Sequence, residues 1–200
     1  MSQVQVLLQG YVYTKEGNEF ASSTCTLIED SYQRMLVDVG SNPEKLLAAL
    51  RTKNLTPANI DAVFLSHFHP DHWLSLSQFP NVRIIGGGFW WKKDAIIPCE
   101  DTIPKTNIRI VPTPGHSADH ASLVVKTETQ TVAVAGDVFW WADDETPDLT
   151  AEGILNRPDP YATDMKSLIE SRKKLLSMAD YIIPGHGKAF ENPLKRKIEE

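Results

Sequence analysis

Ser66-His67-Phe68-His69-Pro70-Asp71-His72-Trp73 sets three imidazoles and a carboxylate within six consecutive positions, 67 to 72. In an extended segment His67 and His69 point to the same side, because side-chain direction repeats every two residues. Asp71 and His72 follow at an expected turn, where the chain can bring two more donors to the same place. Imidazole and carboxylate together suit Zn, Fe or Mn. The octet follows the apolar run Ala62-Val63-Phe64-Leu65, which predicts a short strand over 61–66.

The same context recurs further along the chain. His116 follows IRIVPTPG, Asp137 follows TVAVAG and His186 follows YIIPG, each a ligand-type residue just beyond an apolar β-run and a glycine. If those strands run side by side in one direction, all these groups arrive along one edge of the sheets, where open α/β architectures place their sites. Seven groups (His67, His69, Asp71, His72, His116, Asp137, His186) exceed the four ligands of a tetrahedral zinc. They suit two metals sharing a bridging carboxylate, with Asp137 the natural bridge. His120 opens a strand without the glycine-turn context and reads as a structural or supporting residue.

Around this constellation the 200 residues (22.4 kDa) read as one domain over 1–190 with a charged tail, 191–200, expected to fray. Val4–Tyr13 alternates as a strand, and Thr24–Glu29 with Arg34–Val39 predicts a hairpin. Pro43 opens a helix with Leu46, Leu47 and Leu50 on one face. Val82–Ile85, Ile108–Val111, Ala121–Lys126, Thr131–Ala135 and Tyr181–Ile183 are further strand candidates, and Thr163 is expected to cap a helix reaching Met178. The polar, Pro-containing stretch from Ala142 to Ala162 is longer than most connections and reads as a lid or binding loop. Strands, helix, strands, helix, strand predicts an α/β fold of sheets covered by helices.

Twenty basic residues against 26 acidic ones give a net charge of −6, a poor footprint for duplex DNA but compatible with a small molecule or a short nucleic-acid strand. No run approaches the length of a membrane span, the N-terminus lacks the plan of a signal peptide, and Cys25 and Cys99 are too few for a disulfide framework. A cytoplasmic protein, as monomer or homodimer, is the expectation. Phe89-Trp90-Trp91 and Phe139-Trp140-Trp141 hold four of the five tryptophans. Trp140 and Trp141 lie just past Asp137, and Trp73 directly follows His72, so these three are the candidates for gripping a substrate.

His67-x-His69-x-Asp71-His72, Pro114-Gly115-His116, Gly136-Asp137 and Pro184-Gly185-His186-Gly187 resemble, in order, the motif series of the metallo-β-lactamase fold superfamily. The resemblance implies a four-layer αββα sandwich with its site in a groove along one edge. It also implies two divalent ions, zinc first and Fe or Mn as alternatives. His67, His69 and His116 would hold the first, Asp71, His72 and His186 the second, and Asp137 both. Catalysis would use a metal-bridging hydroxide, oriented by Asp71, to hydrolyse an ester-like bond: a phosphodiester such as RNA, or an acyl bond such as a thioester or lactone. The stretches ASSTCTLIE, LVDVG, AGDVF and ESRKKLLSMADYIIPGHG resemble the metallo-β-lactamase domain-containing protein 1 group, which includes an animal histone pre-mRNA endoribonuclease. Two other activities of this fold stand as alternatives, persulfide oxidation at a single iron and weak β-lactam hydrolysis.

Overall fold

The computed structural model describes residues 2–195. In chain order the elements are β1 (Gln3–Leu8), β2 (Tyr11–Lys15), β3 (Asn18–Ser22), β4 (Cys25–Glu29), β5 (Arg34–Val37), α1 (Pro43–Thr52), β6 (Ala62–Phe64), α2 (Pro70–Trp73), β7 (Arg83–Gly86), β8 (Phe89–Lys92) and β9 (Ala95–Pro98). The second half adds β10 (Ile108–Pro112), β11 (Ala121–Lys126), β12 (Thr131–Trp140), α3 (Ala151–Asn156), α4 (Met165–Met178), β13 (Tyr181–His186) and β14 (Phe190–Glu191). They form a seven-stranded sheet ordered β1-β4-β5-β6-β7-β8-β9, a five-stranded sheet ordered β10-β11-β12-β13-β14, and a separate β2-β3 ribbon.

Period-two alternation builds the layers. Met35 and Val37 of β5, Ala62 and Phe64 of β6, Leu123 and Val125 of β11, and Val132 and Val134 of β12 meet in one cluster between the sheets. The intervening Leu36 and Val63 face the other way, onto Leu46 and Leu50 of α1. Val124, Ala133, Ala135 and Ile182 turn outward under Leu168, Leu175 and Leu176 of α4. Helix, sheet, sheet, helix is therefore the layer order, the expected αββα sandwich.

The helix starts follow capping chemistry. The Asn42 side chain accepts the Lys45 amide at 2.9 Å, with Pro43 in the first turn of α1. In α4 the cap is Asp164, which accepts the Lys166 and Ser167 amides, and not the expected Thr163. Thr163 is engaged elsewhere: its amide donates to the His116 carbonyl (3.2 Å) and its hydroxyl to that of Gly115 (3.1 Å).

Other departures have equally local causes. The single run expected over Val4–Tyr13 breaks at Gly10, which allows β1 and β2 to lie in different sheets. β12 runs past Ala135 to Trp140, with its register against β13 shifting around Gly136 (φ +55°). Asp71 and His72 lie on α2 rather than in a plain turn. Of the tail, residues 191–195 are held: Asn192 is buried, its amide donating to the Leu176 (2.6 Å) and Ala179 (2.7 Å) carbonyls, and Lys195 pairs with Asp180. Residues 196–200 lie outside the described residues. Among the described residues no helix is long and apolar enough to cross a membrane.

Candidate metal centre

β5, β6 and β7 are mutually parallel, and in the other sheet β12 and β13 are parallel, with β10 pointing the same way across antiparallel β11. His67 lies past the end of β6, His116 past β10, His186 at the last residue of β13, and Asp137 in β12 just beyond Gly136. α2 is pinned beside them, because the Ser23 and Val39 amides donate to the Asp71 (3.0 Å) and His72 (2.9 Å) carbonyls. All seven candidate ligands thus reach one edge of the sandwich. They fall into two sets, His67, His69, His116 and Asp137 in one and Asp71, His72 and His186 in the other, with the donor atoms of each set within 4.8 Å of one another.

Asp137 faces both sets. Its Oδ2 lies 3.4 Å from His116 Nε2 and its Oδ1 3.3 Å from His72 Nε2. His186 Nε2 lies 3.1 Å from Asp71 Oδ2, and His116 Nε2 is 3.0 Å from His69 Nδ1. Room for this packing depends on Gly185, where a Cβ would overlap Asp137 Oδ1.

Three buried partners hold the cluster in place; His120 was read from the sequence as a supporting residue, whereas Asp38 and Asp159 were not singled out. Asp38 accepts from the Ser66 amide, the Ser66 hydroxyl and His72 Nδ1–H, each at 2.8 Å. Asp159 accepts from His116 Nδ1–H at 2.7 Å. A carboxylate on Nδ1 fixes the tautomer, so that Nε2 of His72 and of His116 presents a lone pair to the centre. His120 is the third. Its Nε2 accepts the Asp137 amide (3.1 Å), so its Nδ1–H donates to Thr113 Oγ1 (2.8 Å), and the Ser122 hydroxyl donates to the Ala135 carbonyl (2.9 Å). Thr113 and Ser122 are themselves 2.9 Å apart, closing the relay. His120 therefore supports the bridge position and is not among the donor sets.

The donor chemistry fits divalent cations. His67 Nε2, His72 Nε2 and Asp137 Oδ1 are buried and have no hydrogen-bond partner. A buried orphan of this kind costs about 1–3 kcal/mol, and three converging on one spot are accounted for by cations that take their lone pairs. The proton affinities point the same way. Burial alone would lift the Asp137 carboxyl, but His72 and His186 hold it well below the usual range. Burial would lower His72, yet Asp137 and Asp38 raise it well above the ordinary value; His186, likewise opposed by burial, is raised to about 9, mainly by Asp137. Positive charge is stabilised here wherever it comes from. His67 and His69 are lowered, first by burial and then by neighbouring imidazoles, which favours the neutral form that a metal ligand requires.

A cavity of about 240 Å³ opens on this centre, lined by His69, Asp71, His116, Asp137 and His186 below and by Val12, Glu19, Ala21, Pro70, Trp140 and Tyr161 around them. Trp140 is a wall residue, as expected. Trp141 is not: it turns into the outer core, its ring 5.6 Å from that of Phe190. Trp73 also stays outside the lining, its indole N–H donating to the Phe68 carbonyl at 3.0 Å. Tyr161 brings the 142–162 stretch, read as a lid or binding loop, to the cavity, whereas Glu19 lines it without having been foreseen, in a polar stretch that carries no motif.

The Metallo-beta-lactamase superfamily signature matches residues 19–88. The chain is 31% identical over 198 residues to Metallo-beta-lactamase domain-containing protein 1 of Xenopus laevis, covering 94% of this chain and 80% of that one. It belongs to the metallo-β-lactamase superfamily. It spans 60% of the length of the mouse protein of the same name. Among solved structures it is similar to a metallo-β-lactamase-type chain of Thermotoga maritima (TM-score 0.71, 18% identity, 95% and 99% of the two chains). It is also similar to AidC, a dizinc quorum-quenching lactonase (TM-score 0.60, 18% identity, 84% and 73%). The chain thus has the metallo-β-lactamase fold and a His/Asp cluster of metal-binding character.

Proposed function

We propose that this metallo-β-lactamase-fold protein hydrolyses an ester-like bond with two divalent cations, zinc in the first instance. The reading rests on one observation: seven side chains divide into two donor sets with the Asp137 carboxylate between them, its Oδ2 3.4 Å from His116 Nε2 and 3.6 Å from His186 Nε2 and its Oδ1 3.3 Å from His72 Nε2. A lactonase of the same fold that is named as dizinc supports the count. His67, His69 and His116 would hold one ion, Asp71, His72 and His186 the other, and Asp137 both.

When bound, the pair supplies Lewis acidity at the scissile carbonyl or phosphoryl group and lowers the pKa of a water towards neutrality. The chain's own residues do the rest. Asp71 is the candidate carboxylate that reaches the cavity with partial exposure, 22% for its side chain. Although burial opposes it, its hydrogen bond to His186 keeps its pKa low, so it stands ionised and can accept a hydrogen bond from the attacking water and orient it. Asp137 holds its charge at the junction of the two sets and is itself located by His120 through the backbone. Asp38 and Asp159 fix the imidazoles they touch. Trp140, Val12 and Pro70 give the substrate an apolar wall to lie against.

The test is metal analysis together with chelator-controlled assays on a thioester, a lactone and a phosphodiester. About two zincs per chain, with hydrolysis of at least one substrate lost on chelation and in Asp137→Ala, supports the reading. A single iron with oxygen uptake on a persulfide would overturn it in favour of an oxidoreductase.

A further inference from the structure

The cavity changes chemistry between floor and rim. His116, Asp137 and His186 are buried at the bottom, whereas Glu19, Pro70 and Tyr161 are exposed at the top, with Val12, Ala21 and Trp140 between them. Among the described residues no lysine or arginine lines it. Arg157 lies with its guanidinium 4.6 Å over the Trp140 ring, but that group is paired with Glu145 and lies outside the lining. Among the described residues the one charged group on the rim is Glu19. The Tyr161 hydroxyl donates to its carboxylate (3.0 Å to Oε2), a bond that crosses the mouth from the 142–162 stretch to the β2-β3 ribbon. The hydrogen bond to Glu19 also raises the Tyr161 pKa, which keeps the hydroxyl a donor and leaves the negative charge on Glu19.

Resting on the hydrolytic reading above, we propose that Glu19, held across the mouth by Tyr161, makes this site selective for an uncharged acyl substrate, a short thioester or lactone, over a phosphodiester.

A phosphodiester arrives with a full negative charge and gains more on the way to its transition state; sites that handle it surround it with lysine, arginine or further cations. This rim offers a carboxylate instead, whose field at close range opposes such a group. An acyl carbonyl arrives neutral, and the charge it develops forms at the floor, beside the donor sets. Size agrees, since about 240 Å³ is below the usual range for drug-sized ligands of about 300–1,000 Å³. The wall of Val12, Ala21 and Trp140 suits a short alkyl or aryl group. The reaction is redox-neutral: water adds to the carbonyl, the C–S or ring C–O bond breaks, and the products are a carboxylate, a thiol or alcohol, and one proton.

The experiment compares wild-type, Glu19→Gln and Glu19→Lys proteins loaded with zinc, using phenyl thioacetate and bis(4-nitrophenyl) phosphate. A second readout, calorimetric binding of dimethyl phosphate, needs no turnover. Charge reversal is expected to move the phosphodiester-to-thioester ratio of kcat/KM by about tenfold or more towards the phosphodiester, chiefly through KM. Dimethyl phosphate should bind more tightly in step. Glu19→Gln keeps an acceptor for Tyr161 and should give a smaller shift in the same direction, which guards against misfolding of the lysine variant. An unchanged ratio with unchanged dimethyl phosphate affinity, or a wild-type protein that turns over the phosphodiester with the higher kcat/KM, overturns the proposal and leaves the hydrolase reading standing. Failure of the wild type on both substrates with two zincs bound overturns the hydrolase reading, and this proposal with it.

Discussion

On the two-cation reading proposed above, replacing Asp38 with asparagine should weaken the site built on His72 while sparing the one built on His67, His69 and His116. Asp38 sits just beyond β5 at φ +54°, a left-handed position that asparagine also tolerates, so the backbone is not perturbed. Its Oδ1 accepts the Ser66 amide, and its Oδ2 accepts both the Ser66 hydroxyl and His72 Nδ1–H. Asparagine has a single oxygen. With that oxygen on the Ser66 amide, the NH₂ group faces His72 Nδ1, which must become an acceptor. The ring proton then moves to Nε2, the nitrogen aimed at Asp71 (3.7 Å) and Asp137 (3.3 Å), and the lone pair needed for a metal is gone. Turning the amide over instead strands the Ser66 N–H. Loss of such a supporting bond costs about 10–100-fold in metal affinity, or about 1.4–2.7 kcal/mol. Competition against a chromophoric zinc chelator at neutral pH should show one site weakened by that factor and the other unchanged. Far-UV circular dichroism should remain that of the wild type. Two sites of wild-type affinity in the asparagine variant would refute the tautomer argument.

Gly185→Ala would push a methyl group onto Asp137 Oδ1; displacing a reacting constellation by about 1 Å can cost about 100-fold in rate, so activity should fall at least that far with the fold retained, as read by kcat and circular dichroism. Arg172 is buried and donates to three carbonyls, those of Val138 (3.0 Å), Leu155 (3.0 Å) and Arg157 (2.7 Å). Arg172→Leu leaves all three buried acceptors without it and should destabilise the protein by about 3–5 kcal/mol; urea denaturation showing less than about 1 kcal/mol would contradict that. In metal-free protein His186 is raised to about 9 from its ordinary 6.5. Its contribution to stability is therefore full below about pH 6.5 and lost as pH rises through about 9. Zinc must displace the protons of His72 and His186, so the stabilisation it adds should grow over that window. Thermal melts with and without zinc across this range check the sign, and a zinc-induced shift independent of pH would contradict it.

Four of the seven donors were legible because each repeats one local device, an apolar β-run followed by a turn and a ligand, and the other three because they crowd into positions 69–72. His67, His116, Asp137 and His186 all show it, and the fold then needs only parallel strands to gather them. Asp38 shows nearly the same device in LVDVG, yet it lies in no ligand spacing, and only the packing of β5 against the segment after β6 reveals its role. Asp159 meets His116 across 43 residues from a stretch with no periodicity, a contact that exists only in three dimensions. The choice between Trp140 and Trp141 depends on parity along β12, and the register shift after Gly136 breaks the simple alternation that would have decided it. The β2-β3 and β8-β9 hairpins escaped for a related reason. Tyr13, Phe20, Phe89, Ile96 and Ile97 are all exposed, so neither ribbon displays the buried face that alternation detects.

Arg172 also links parts of the molecule that would otherwise vary independently. By gripping the Leu155 and Arg157 carbonyls it ties the segment carrying Asp159 to the long C-terminal helix, and Asp159 in turn braces His116. A chimera that imports the 142–162 region from a relative must therefore bring a matching tether along with it. Without one, a graft intended to alter substrate preference at the surface would loosen an imidazole at the heart of the centre.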